Sequence, residues 1–158
     1  MKEAIYLDAD DTIWDVLPDG MASKCLPPYK KVDDDLLIGH GSMGECAILL
    51  REGVRDLIDY AKSHNMDVVL VSQNDPVPVK VAIRELDLPF DREYISFDMN
   101  KYLTILRDMR EHEVDHAYFV DDVYGNEKLV RGIKSLKFIK DRVELYDDVT
   151  KLIRKLEG

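Results

Sequence analysis

The segment Asp8-Ala9-Asp10-Asp11-Thr12-Ile13-Trp14 carries the strongest chemical signal in the chain. Carboxylates at this spacing can attack an electrophile, move a proton or hold a hard cation. Asp8 ends the apolar run at 4–7, Ser72 follows the valine-rich run at 67–71, and Asp121 and Asp122 follow the run at 117–120. Lys101 stands just before an apolar stripe of helical spacing. An acidic turn that only caps backbone amides explains one or two aspartates, but not the separate Ser72, Lys101 and Asp121/Asp122 endings. A calcium loop begins well with Asp8, Asp10 and Thr12 at alternating positions. It fails at Ile13, where glycine is needed, and at Asp19, where a bidentate Glu belongs.

The surrounding pattern supplies elements to position these groups. The runs at 4–7, 67–71 and 117–120 predict buried strands, 136–139 predicts a further short one, and 94–97 a short strand or an extended link. Helical spacing recurs in Val54, Leu57, Ile58 and Ala61, a helix that Asn65 can end in a left-handed conformation. It recurs in Val79, Ile83 and Leu86 after Pro76 and Pro78, in Tyr102, Ile105, Leu106 and Met109, in Leu129, Val130 and Ile133, and in Val149, Leu152, Ile153 and Leu156. Strands alternating with helices predict an α/β domain around a parallel sheet covered on both faces. Ligands in such sheets gather beyond the carboxyl ends of the strands, where Asp8, Ser72 and Asp121 would meet. Residues 15–47, punctuated by Pro18, Gly20, Pro27, Pro28, Gly39, Gly41 and Gly44, predict a folded excursion or flap instead of a helical cap domain.

Composition narrows the partners. A chain of 158 residues fits one domain, and its formal charge of −10 opposes nucleic acid and anionic membrane surfaces. The same field would repel a phosphate ester, so a phosphate-handling site needs a cation. Cys25 and Cys46 are expected to be free thiols in preference to a disulfide or a metal pair. No apolar signal or membrane-length run is present, and the expected location is cytoplasmic. His40, His64, His112 and His116 lack a zinc spacing. Neither a dinucleotide glycine fingerprint nor a phosphate loop occurs, and Gly39, Gly41 and Gly44 lack the strand-to-helix context.

Leu7-Asp8-Ala9-Asp10-Asp11-Thr12-Ile13-Trp14 and Phe119-Val120-Asp121-Asp122 with Asn126, joined by Ser72 and Lys101, resemble the ordered motifs of the haloacid-dehalogenase-like phosphohydrolase superfamily. The resemblance is greatest to the small magnesium-dependent phosphatase family. It implies a Rossmann-like three-layer α/β domain over residues 1–158, with a central parallel sheet and a flap in place of a large cap. It also implies a phosphomonoesterase in which Asp8 becomes an aspartyl-phosphate and Asp10 is the acid and base. Mg2+ would be held by Asp8, the backbone carbonyl of Asp10 and Asp121, with Asp122 as an additional or water-mediated ligand. Ser72 and Lys101 would bind phosphate. Thr12 would touch phosphate or stabilise the turn, and Asn74 and Asn126 would orient loops or metal waters, or serve as caps.

Trp14 is expected in core or flap packing or at the substrate entrance. Substrates implied are a small phosphorylated metabolite or a phosphorylated protein side chain. The chain departs from the family where Gln73-Asn74 follow Ser72, since the family tends to carry Arg-Thr there. Phosphotransfer through the same intermediate, and noncatalytic magnesium-dependent binding, are the competing functions.

Overall fold

Short apolar runs with polar stops form strands buried on both faces, and in the computed structural model, which describes residues 1–121 and 142–158, they pair in parallel. The strands are β1 (Glu3–Leu7), β2 (Trp14–Leu17), β3 (Leu26–Lys31), β4 (Leu36–Gly41), β5 (Gly44–Leu50), β6 (Asp67–Ser72), β7 (Arg92–Ile95), β8 (His116–Val120) and β9 (Val143–Tyr146). The helices are α1 (Val54–Ser63), α2 (Pro76–Glu85), α3 (Lys101–Glu111) and α4 (Val149–Glu157). A mixed α/β fold results, with a parallel sheet in the order β7-β6-β1-β8-β9. β1 lies between β6 and β8, with Leu7 level with Leu70 on one side and Val120 on the other. The chain builds outward from β1 through β6 to β7, then crosses back to add β8 and β9. That reversal opens a crevice beyond the ends of β1 and β8.

Alternation along β1 divides the core. Ile5 and Leu7 join a cluster containing α1 residues Val54, Leu57 and Ile58, α2 residues Val79 and Ile83, and α4 residue Leu152. Ala4 and Tyr6 join the other cluster, with Ile105 and Met109 of α3. Local signals set the helix ends. Pro76 opens α2 behind an Asp75 side-chain cap, Asn100 caps α3, and Asp148 caps α4. Asn65 follows α1 with φ 56°, the left-handed conformation its sequence position predicts.

One buried polar network fixes α3 to the sheet. Asp108 is 1% exposed and accepts from Tyr6 Oη at 2.6 Å, Tyr94 Oη at 2.5 Å, and Arg92 Nε and Nη2 at 2.7 and 2.9 Å. Burial pushes this carboxyl upward, but the Arg92 and tyrosine bonds outweigh it and hold Asp108 below the ordinary carboxylate range. No feature of spacing pointed to this network.

The 15–47 excursion is more regular than its prolines and glycines suggest. It forms most of a four-stranded antiparallel sheet ordered β2-β5-β4-β3. Pro27 and Pro28 are accommodated because β3 is an edge strand. Gly39 is required by close approach, since a Cβ there would lie 2.8 Å from both the Leu26 carbonyl oxygen and the Tyr29 ring. The expectation of free thiols is corrected: Cys25 and Cys46 form a disulfide between the segment before β3 and the middle of β5. Burial and sheet pairing bring together two cysteines whose spacing carried no disulfide signature. Such bonds typify oxidising compartments and hyperthermophile interiors. Among the described residues, no helix is long and apolar enough to cross a membrane.

The strand or link expected at 94–97 is a strand, displaced to Arg92–Ile95, and β9 was not anticipated. The helix expected around Leu129, Val130 and Ile133 and the strand expected at 136–139 lie outside the described residues.

Asp108→Ala should lower the unfolding free energy at pH 7 by about 3 kcal/mol, because it leaves two hydroxyls and the Nε and Nη2 of Arg92 without their acceptor, although Arg92 Nη1 keeps Asp67 at 3.0 Å. Since the native pKa is lowered, this contribution is fully present above the unfolded value of about 3.9 and is lost as pH falls through the native pKa. Urea titrations at pH 7 and in acid should therefore show the difference from wild type shrinking on acidification. A pH-independent difference contradicts the assignment. Thiol titration of the denatured, unreduced protein should find no reactive thiol, with both cysteines appearing after reduction.

Candidate active site

Parallel pairing turns three sequence-distant residues into neighbours. Asp8 is the residue after β1, its N–H donating to the Val120 carbonyl at 3.0 Å. Asp121 is the residue after β8, and Ser72 closes β6. All three side chains are buried, Asp8 at 8%, Ser72 at 1% and Asp121 at 3% exposure. Lys101, the first residue of α3, reaches into the same crevice. Its Nζ donates to Asp8 Oδ1 at 2.7 Å and Asp121 Oδ2 at 3.1 Å.

The electrostatics follow from charge count. Two buried carboxylates share one ammonium, so the trio retains net negative charge when fully ionised. Burial raises the Asp8 pKa, Lys101 pulls it back, and the neighbouring Asp121 raises it again. Burial alone would depress Lys101, but Asp8 and Asp121 outweigh it and hold the ammonium above its ordinary value. A site of this kind keeps its lysine charged.

The turn after Asp8 is closed by backbone bonds. Ala9 O accepts from the N–H groups of Thr12 at 3.1 Å and Ile13 at 2.9 Å, while Asp11 N–H donates to Trp14 O at 2.9 Å. Asp11 takes φ 60°, a left-handed conformation that Asp tolerates better than most residues. This tight return carries the Asp10 carboxylate back beside Trp14. Thr12 is buried, and its Oγ1 has no hydrogen-bond partner among the described residues. The hydroxyl therefore does not brace the turn among those residues, and its phosphate-contacting role is the one left for proposal.

Asp10 is held by donors from three places. Trp14 Nε1–H donates to Oδ1 at 2.8 Å, Asn74 Nδ2–H to Oδ2 at 2.9 Å, and Ala22 N–H to both oxygens at 3.2 Å. Burial raises the Asp10 pKa, opposed by these three donors. Trp14 is fully buried in the core, as packing predicted, but its indole N–H has a second task. The four-residue step from Asp10 to Trp14 was the available signal. Ala22 gave none, because a backbone N–H belongs to any residue type.

Gln73 points elsewhere, its Nε2–H donating to the Phe97 carbonyl at 3.0 Å. Asp122 and Asn126 lie outside the described residues. Among the described residues, no group of three or more His, Cys, Asp or Glu side chains is arranged to hold a metal ion. Asp8 and Asp121 supply two oxygen donors of the type a hard cation takes. No protein-family model and no curated protein matches the chain.

Lys101→Ala should lower stability at pH 7 by about 3 kcal/mol or more, since it strands two buried carboxylates. Adding Asp8→Asn should restore part of that loss by removing one of the uncompensated charges. Chemical denaturation of the single and double variants checks this, and a double variant no more stable than Lys101→Ala contradicts the shared charge.

Proposed function

We propose that this protein is a phosphomonoesterase of the haloacid-dehalogenase-like type, working through an aspartyl-phosphate on Asp8. The observation that carries the reading is the Lys101 ammonium, bonded to both Asp8 and Asp121 at the crevice beyond adjacent parallel strands. The ordered motif set, the parallel sheet and the position of Asp10 in the following turn support it further. The three-layer, flap-bearing form of that superfamily is part of the same proposal.

The chemistry divides between the two aspartates. An Asp8 carboxylate oxygen attacks phosphorus, forming one O–P bond as the bond to the leaving oxygen breaks. Asp10, protonated, gives its proton to that oxygen and becomes a carboxylate. Asp10 then takes a proton from water as the water oxygen attacks phosphorus, and the Asp8–phosphate bond breaks to release inorganic phosphate. Lys101 favours the ionised form of Asp8 against the burial that raises its pKa, and it offsets phosphate charge; Ser72 and Thr12 are the proposed hydroxyl donors to the phosphate.

Mg2+ fits the donor chemistry, because two buried carboxylates share a single ammonium and all proposed ligands are oxygens. Asp8, the Asp10 backbone carbonyl, Asp121 and Asp122 would hold it. When bound, it supplies positive charge against the phosphate and carboxylates. The proposed substrates are a small phosphorylated metabolite or a phosphorylated protein side chain.

Phosphate release from a broad panel of monoesters with magnesium tests the reading. Asp8→Asn should abolish both turnover and trapped phosphoenzyme, and Asp10→Asn should slow turnover by about 10²–10⁴-fold. Parallel reactions with an added alcohol separate transfer from hydrolysis. Folded, magnesium-binding protein that releases no phosphate from any ester supports noncatalytic binding and defeats the phosphatase reading.

A further inference from the structure

We propose that Trp14, Asn74 and the Ala22 backbone N–H form a clamp that positions Asp10 to protonate the leaving oxygen, making the flap sheet part of the acid apparatus. The proposal rests on the phosphomonoesterase reading and goes beyond it by assigning these three groups a role.

The geometry is specific in each member. Trp14 is fully buried, so its indole N–H has no access to water and finds its partner in Asp10 Oδ1 at 2.8 Å. Asn74 is 2% exposed, and its amide orientation is fixed from both ends: Oδ1 accepts from Asp75 N–H at 2.9 Å while Nδ2–H donates to Asp10 Oδ2 at 2.9 Å. Exchanging the amide's oxygen and nitrogen would break both bonds. Ala22 begins the single 3-10 turn Ala22–Lys24 inside the flap, and its N–H is shared between the two Asp10 oxygens. Because one N–H spans both oxygens, lone-pair capacity remains for a proton.

Three donors aimed at one carboxylate favour the charge that develops on Asp10 as it gives up its proton. Preorganised donors of this kind lower a barrier because they need no rearrangement at the moment of reaction. The contribution matters most where the leaving group is a poor one. An alkyl alcohol must receive a proton as its bond to phosphorus breaks, whereas p-nitrophenolate departs without one. Asn74 thereby gains a task at the position where the resembling family carries a different residue. It holds the acid.

Ala22→Pro tests the flap donor cleanly. Proline deletes the N–H, its fixed φ suits the first position of a helical turn, and the preceding Met21 already has φ −130° and ψ 124°, the extended conformation proline demands of its neighbour. Trp14→Phe and Asn74→Ala delete the other two donors, and they carry the test if the proline variant does not fold. The readout is kcat/KM with magnesium for p-nitrophenyl phosphate and for glycerol phosphate. This parameter reports formation of the phosphoenzyme, so the shared hydrolysis step does not mask the result.

Each variant should lose about tenfold or more in kcat/KM on the alkyl ester beyond whatever it loses on the aryl ester. Equal losses on the two esters, with wild type active on both, overturn the clamp alone. Where the wild type prefers other esters of the broad panel, its best aryl and alkyl substrates replace these two; a wild type that releases phosphate from no ester of that panel overturns the phosphomonoesterase reading and the clamp with it.

Discussion

Two carboxylates buried beside each other are unstable unless something positive is placed between them. Asp8 and Asp121 meet this condition through Lys101, and much of the architecture is arranged to keep that ammonium in place. Parallel pairing of β1 with β8 sets the carboxylates side by side, and the topological reversal leaves the crevice above them uncovered by a strand connection. Lys101 must approach from α3, so the seating of that helix determines the charge balance of the site. A single lysine leaves the fully ionised trio one charge short, which is why a further cation belongs to the chemistry proposed.

The seating of α3 is itself an electrostatic matter. Apolar contacts through Ile105 and Met109 hold the helix against the sheet without fixing its rotation or translation sharply. Asp108 does that by collecting bonds from β1 and β7, about two helical turns along from Lys101. Hydrogen bonds are directional where hydrophobic burial is not. The buried Asp108 network therefore bears on how far Lys101 reaches into the crevice. Its cost in desolvation is offset because donors on several sides satisfy the carboxylate.

Legibility in the sequence followed the range of the interactions. Strand blocks ending in Asp8, Ser72 and Asp121 could be read because burial on both faces leaves continuous apolar runs with abrupt polar stops. Lys101 was legible through its place before a helical stripe, and Asn65 through its tolerance of a left-handed cap. The antiparallel sheet was not, since Pro27, Pro28 and Gly39 read locally as breakers while an edge position and a close backbone approach accommodate them. The Cys25–Cys46 bond, the Asp108 network and the Ala22 contact depend on tertiary proximity that no spacing rule encodes. Asn74 was placed near the site by its neighbour Ser72, but its partner could be identified only from the geometry.

The flap sheet then acquires a different meaning from that of a loop laid over an entrance. Its strands pair across the whole excursion, a disulfide joins the end of the 3-10 turn region to β5, and the Tyr29 hydroxyl donates to the Cys25 carbonyl at 2.6 Å and to Pro78 O of α2 at 3.4 Å. These bonds constrain the segment that carries Ala22 from both sides, against its own sheet and against α2. A backbone N–H can orient a catalytic carboxylate only if the backbone behind it is held, because a loosely tethered donor offers little preorganisation. The cross-linked sheet meets that requirement, while β2 begins at Trp14 and so places the indole donor on the same structure. Of the three donors to Asp10, Trp14 begins β2, the Ala22 N–H belongs to the 3-10 turn between β2 and β3, and Asn74 lies in the loop after β6. The proposed acid, Asp10, is thus held by groups from the antiparallel-sheet excursion and from the loop after β6, and the proposed nucleophile, Asp8, lies where β1 and β8 end.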